Sequence, residues 1–196
     1  MRIGWRQLER MNTLDLLASR RSIREFTTRE PTRAEIETLL EHAVTGPNHR
    51  LTQPWKFYVL GPESRRAFGR VLGGRKARKI EDPEAAEQMR KKIGDEHAAL
   101  PAMIAVTISQ SENPEIREED YAAGMMAVQN IALAAVALGL GTHIKTGAVM
   151  DDPAARAVFG VGDGERVIAM VNVGEPATVP PAKARRAASE VTTWLP

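Results

Sequence analysis

From Ala122 to Thr142 the chain carries no charged side chain, and this run limits what the rest can fold into. A helix of that length could cross a bilayer. The run is, however, built mostly from Ala, Gly and Met, with Gln129 and Asn130 in its middle. Such a segment inserts poorly beside a Leu/Ile/Phe run. The reading it favours is a helix buried on all sides inside a soluble protein, with small residues that let a neighbour, including a partner subunit, approach closely. At 196 residues and 43% hydrophobic content, one domain with a substantial core is expected around it. Residues 13–196 read as that domain and residues 1–12 as an N-terminal extension.

The flanking pattern alternates helix and strand. Asn12 or Thr13 caps a short helix to about Ala18. Thr32-x-x-Glu35 is a capping box, followed by Ile36, Leu39, Leu40, Ala43 and Val44 at helical spacing and a stop at Gly46-Pro47. Trp55 to Leu60 reads as a strand ended by Gly61-Pro62. Glu63 to Val71 reads as helix. Gly73-Gly74 then opens a charged segment through His97, a loop followed by a helix from near Pro83. Met103 to Ser109, almost wholly apolar, reads as a strand buried on both faces. The long helix runs from near Ile116 to Gly139 or Gly141, a short strand from Thr142 to Gly147, and Asp152-Pro153 opens a helix to Phe159. Arg166 to Val173 is the last strand, and Gly174 to Pro196 a proline-containing tail. The crossovers are irregular, which points to an α+β sheet surrounded by helices.

The 27 basic and 25 acidic residues nearly cancel, so there is no bulk basic face for nucleic acid. Arg75 to Lys92 is interleaved with acids, and Glu87 lies four before Lys91, the spacing of a solvated helix. There is no cysteine, which removes disulfides, thiolate metal sites and cysteine nucleophiles. The four histidines show no helical metal spacing. The start has no apolar stretch of the signal-peptide kind, so the cytoplasm is the expected compartment and no membrane partner is expected. Gly-x-Gly-x-x-Gly, Gly-Lys and Gly-x-Ser-x-Gly are all missing. No catalytic side chain stands out, and an enzyme built this way borrows its reactive group from a cofactor.

Two basic clusters remain to be explained: Arg20-Arg21-Ser22-Ile23-Arg24 and Lys183-Ala184-Arg185-Arg186. Brought together from opposite ends of one domain, they would make an anion site, most simply for a phosphate. The first cluster after a short helix, the capping box, Gly46-Pro47-Asn48-His49 and Gln53-Pro54-Trp55-x-Phe57 together resemble the start of the nitroreductase family of flavin enzymes. Gly124-Met125-x-Ala127-x-Gln129-Asn130, Ala137-Leu138-Gly139-Leu140-Gly141, Val173-Gly174-Glu175-Pro176 and Pro181-x-Lys183-Ala184-Arg185 continue the likeness to Leu195. It is closest to the smaller members.

The resemblance implies an α+β fold with a mainly antiparallel sheet. It also implies a homodimer with FMN at the subunit interface, reduced by NADH or NADPH and reoxidised by a small acceptor such as a nitroaromatic or quinone. An FMN-storage protein with little turnover is the alternative. Matched position by position, Arg20, Arg21 and Ser22 fall at the ribityl-phosphate end and Arg24 near the pyrimidine edge. His49 and Gln53 would reach the cofactor of the partner subunit. Ile144, Lys145, Thr146 and Gly147 match the backbone facing the flavin ring, and Lys183 and Arg185 the late basic residues that close on the phosphate. Ala184 stands where many relatives have proline.

Overall fold

The computed structural model describes residues 12–196. The proposed extension therefore lies, save for Asn12, outside the described residues.

Side-chain capping fixes every α-helix start among the described residues except that at Gly61-Pro62. Helix α1 (Thr13–Ser19) opens where the Asn12 side chain accepts from the Asp15 amide. Helix α2 (Arg33–Ala43) carries the complete Thr32/Glu35 box. Strand β1 (Trp55–Val59) leads into α3 (Pro62–Ala77) and α4 (Pro83–Ala98), and then β2 (Ala102–Ser109). The long helix α5 (Pro114–Ala137) follows, then β3 (Gly141–Lys145), α6 (Pro153–Phe159) and β4 (Glu165–Gly174). Asp152 caps α6 through the Ala154 amide, with Pro153 at the first turn. Gly139, at φ 72°, takes the left-handed turn that ends α5.

The four strands pair antiparallel in the order β1-β2-β4-β3. Along β2, side chains alternate between two cores. Ile104, Val106 and Ile108 meet α2 and α5 residues such as Leu39, Ala127 and Ile131. Met103 and Ala105 face Phe68, Met150, Ala155 and Phe159 on the other side. Strand β2 is thus buried on both faces, as its unbroken apolar run requires. A register shift between Val106 and Thr107 skips Ile168 on β4, so Ile168 and Ala169 both join the α2–α5 core while Val167 and Met170 face the other. At the sheet end, the Glu165 carboxylate accepts from Tyr58 Oη and Thr107 Oγ1 and pairs with Lys56, tying β1, β2 and β4 together.

Two expectations are corrected. Gly73-Gly74 does not open a loop; α3 runs through it to Ala77. The glycines serve contact between helices instead of a break within one. A Cβ on Gly69 would lie 2.5 Å from the Ile93 carbonyl oxygen and 2.8 Å from His97 Cβ, and one on Gly73 would lie 2.7 Å from Arg90 Cα. Gly69-x-x-x-Gly73 therefore lets α3 lie against α4 with their backbones almost touching, and that contact outweighs the weak helix propensity of glycine. The expected consequence has two signs. Gly69→Ala destabilises by about 1–3 kcal/mol despite its better propensity. Gly74→Ala, whose Cβ meets nothing nearer than the flexible Arg90 side chain at 3.8 Å, stabilises by about 0.5–1 kcal/mol. Urea unfolding of both variants checks the pair.

The second correction concerns α5, which is not buried on all sides within one chain. Ala123, Ala127, Ile131 and Ala135 are buried against the sheet and α2, whereas Ala122, Met126, Gln129 and Ala137 are exposed. On α4, Glu87 pairs with Arg70 and Arg90, and Lys91 takes Asp95 instead of Glu87. Among the described residues no helix is long and apolar enough to cross a membrane.

Candidate functional site

The segment after α1 is where the two ends of the chain meet. The Ile23 amide donates to the Thr142 carbonyl at 2.8 Å, and Ser22 bridges Thr142 in parallel, so residues 22–23 line the free edge of β3. Three residues later the same segment joins the chain leaving β4. The Thr27 amide donates to Glu175 O at 2.9 Å, the Ala177 amide to Glu25 O at 3.0 Å, and Thr27 Oγ1 to the Glu175 carboxylate. Arg20, Ser22 and Arg24 are thereby carried on a backbone clamped between β3 and the start of the tail. Ile23, buried, is the apolar peg between them.

Within this cluster the arginines differ. Arg21 Nη1 donates to the carbonyls of Ala18 and Arg20, a helix-end contact that holds the guanidinium against the end of α1. The guanidinium groups of Arg20 and Arg24 make no hydrogen bond or ion pair with another described residue, so their forks are uncommitted. The ring of His143 on β3 shows where the Arg24 charge lies. Its pKa is held below the ordinary histidine value first by burial and then by the positive charges of Lys145 and Arg24. Lys145 is itself pushed down by burial and by Lys76, and it has no acidic partner among the described residues. Arg24, Lys145 and Lys76 thus give this side of β3 a positive field, and none of the three has an ion pair among the described residues.

Lys145 closes β3, and Thr146 and Gly147 continue beyond it, with Gly147 at φ 116°. Ile144 packs partly buried against the main core, which fixes the strand beneath that backbone.

The loop holding His49 and Gln53 is strained. Arg50, Leu51 and Gln53 all have positive φ, at 57°, 51° and 44°, a conformation that side-chain-bearing residues rarely adopt. It is held from several sides. Glu119 pairs with His49 Nδ1 at 2.7 Å, buried Asp120 accepts from Thr52 Oγ1 at 2.7 Å, and Asn48 Oδ1 accepts from the Gln53 amide. Acidic residues on α5 thus set the loop's shape. They were not singled out in the sequence, where a charged helix start reads as solvated.

Lys183 and Arg185 lie on an exposed tail, and Arg185 Nη1 contacts only its neighbour's carbonyl, that of Ala184. Neither bonds to Arg20, Ser22 or Arg24 in the single chain. The tail is anchored nearby, however, through Ala177 and through Thr178 Oγ1, which donates to the Glu25 carboxylate. Arg185 is eight residues beyond Ala177, a tether of at most roughly 28 Å.

Sequence reading missed Lys76 and His97. Lys76 fell in the stretch read as a solvated helix and His97 at the end of the charged segment, yet both line a cavity with Lys145 and Thr146. The usable signal was Gly69-x-x-x-Gly73 opposite Gly94, which marks a tight helix pair and places Lys76 and His97 within a turn of the crossing.

Comparison with known proteins agrees with this architecture. The Nitroreductase family model matches residues 17–175. YfhC of Bacillus subtilis (strain 168) is 32% identical over 171 residues, covering 87% of this chain and 88% of that protein. A nitroreductase-like family protein from Bacillus cereus superposes with a TM-score of 0.82 at 26% identity, over 94% of this chain and 96% of the other. The FMN and NADPH-dependent nitroreductase NfnB from Sphigopyxis sp. strain HMH gives 0.74 at 21% identity, covering 95% of this chain and all of that one, a likeness of fold. With its sheet order, its clamped arginine segment and these matches in agreement, the chain belongs to the nitroreductase family.

Proposed function

We propose that the protein is an FMN-dependent oxidoreductase that draws electrons from NADH or NADPH and delivers them by a ping-pong cycle to a small oxidised acceptor such as a nitroaromatic or quinone. The observation that carries this reading is the uncommitted cationic edge: the Arg20 and Arg24 guanidinium groups stand on a clamped backbone along β3, and neither has an ion-pair partner among the described residues. Such an edge suits a phosphate monoester and an electron-rich ring edge. Bound FMN would supply the hydride and electron chemistry, which accounts for the missing nucleophile and acid–base motifs.

The residues then divide the work. Arg20 and Ser22 hold the ribityl phosphate, with Lys183 and Arg185 closing on it from the tail. Arg24 stabilises negative charge at the pyrimidine edge. The backbone of Ile144, Lys145, Thr146 and Gly147 faces the ring and fixes its orientation. The strained loop presents His49 and Gln53 to the site of a second copy, and its bracing by Glu119 and Asp120 keeps both in one arrangement.

A homodimer fits the surfaces a single chain leaves open. The outer stripe of α5, with Met126 42% exposed, borders a groove of about 430 Å³ lined by Leu16, His42, Leu133 and Leu138. The tail exposes Trp194 and Leu195 at 91% and 85%. Apolar residues presented this way suit a partner subunit.

The visible spectrum of the purified protein and steady-state NAD(P)H oxidation with a quinone or nitroarene test the reading together. The expected result is a flavin-loaded dimer that turns over. Flavin at one per chain without turnover would identify an FMN-storage protein. A preparation that stays colourless when titrated with FMN would overturn the proposal.

A further inference from the structure

The α3–α4 hairpin, the end of β3 and the segment after it enclose a cavity of about 330 Å³. Its apolar walls come from Phe68, Leu72, Ile93, Val149 and Met150. Its polar lining is unusual in sign: Lys76, Lys145, Thr146 and His97, and no acid. Lys145 is half-buried, Lys76 is exposed, and neither has an anionic partner among the described residues. A half-buried ammonium without a counterion is costly unless something supplies one.

His97 adds an independent demand. It is 9% exposed, and its Nδ1 lies 2.8 Å from the Ile93 carbonyl, an oxygen that can only accept, so Nδ1 carries a hydrogen. Nε2 is then the free lone pair of a neutral ring, and it is buried with no partner. The ring packs edge-on against Phe68 at 5.9 Å between centroids. The charges it feels are Lys145 and Lys76 from the cavity and Glu96 from its own helix, and with burial as the largest influence its pKa lies below the ordinary value. An apolar slot that holds a half-buried cation and a buried acceptor, both without a partner among the described residues, with the exposed Lys76 on its rim, suits an anionic ligand.

We propose that this cavity selects electron acceptors bearing an anionic group on an aromatic ring, the anion held by Lys145 and Lys76 and a ligand O–H or N–H donated to His97 Nε2. The inference rests on the oxidoreductase reading and deepens it, since Lys145 and Thr146 belong both to the cavity wall and to the backbone proposed to face the flavin. It assigns to the α3–α4 hairpin the choice of substrate charge.

The test uses the full-length protein as purified, with its flavin content recorded. Calorimetry compares benzoate with benzamide, which differ in charge but hardly in shape, and rate measurements compare 4-nitrobenzoate with 4-nitrobenzamide. Benzoate is expected to bind at least tenfold more tightly, and the nitrobenzoate:nitrobenzamide ratio of kcat/KM to show the same preference. Lys145→Met should reduce both preferences about tenfold, and Lys76→Met, at an exposed position that tolerates the change in folding, should reduce them in the same direction. The better of 3- and 4-hydroxybenzoate should bind more tightly than benzoate in the native protein and equally in His97→Leu. Equal binding of benzoate and benzamide, or a charge preference untouched by either lysine variant, would overturn the proposal. Binding of benzoate is read without turnover. A preparation that takes up no FMN on titration would therefore sink the oxidoreductase reading while the calorimetric comparison still decided whether the cavity takes anions.

Discussion

Arg20→Ala and Arg185→Ala are each expected to weaken FMN binding by roughly ten- to a hundredfold while leaving the far-ultraviolet spectrum and the unfolding midpoint of the apoprotein unchanged. A hydrogen bond from a guanidinium to a phosphate oxygen is worth roughly 1.5–3 kcal/mol, and neither side chain is spent on holding the fold. Arg21→Ala should behave in the opposite way. Its guanidinium already caps α1 through Ala18 and Arg20, so the change should lower stability slightly and affinity little. Fluorescence titration of apoprotein with FMN reads all three. Native affinity in both Arg20→Ala and Arg185→Ala would remove the phosphate from this edge.

Ile131→Ala is expected to cost about 2–5 kcal/mol, against a total stability that for domains is only roughly 5–15 kcal/mol. Ile131 is fully buried on α5, in the core formed with Leu39, Ile104, Val106 and Val171. Its loss leaves a cavity between helix and sheet that neither rigid layer can close. Met126→Ala, one face away at a 42% exposed position, should change the stability of the isolated chain little. Urea unfolding at low protein concentration separates the two. If α5 lies in a subunit interface, the Met126 variant should instead shift the monomer–dimer equilibrium, which sedimentation measures.

Much of the fold was readable because local and global demands agree in this chain. The Thr32/Glu35 box, the Asp152-Pro153 start and the unbroken apolar run of β2 each satisfy a backbone or burial requirement that no distant contact contradicts. Reading failed where a residue's role is decided by something remote in sequence. Gly73 looks like a break until Arg90 is laid against it, and Lys91 looks like the partner of Glu87 until Arg70 arrives from α3. The outer stripe of α5 looked like core because its small, uncharged residues have the composition of an interior although several are exposed in the single chain. At the site, the resemblance supplied which arginines to watch. The division between Arg21, engaged at a helix end, and Arg20, free, required the fold, as did the buried Nε2 of His97.

The lacing of Glu25 and Thr27 to Glu175, Ala177 and Thr178 bears on how the molecule is made. Those bonds close a loop of about 150 residues, among the longest-range contacts the chain contains. On a ribosome the arginine-bearing segment emerges about 150 residues before the residues it is laced to, so it has no permanent place to lie until the sheet between them has been made. Nascent chains arrested before residue 175 should hold helices and β2 but leave that segment open to protease, and they should acquire affinity for the cofactor only once residues 175–178 have been released.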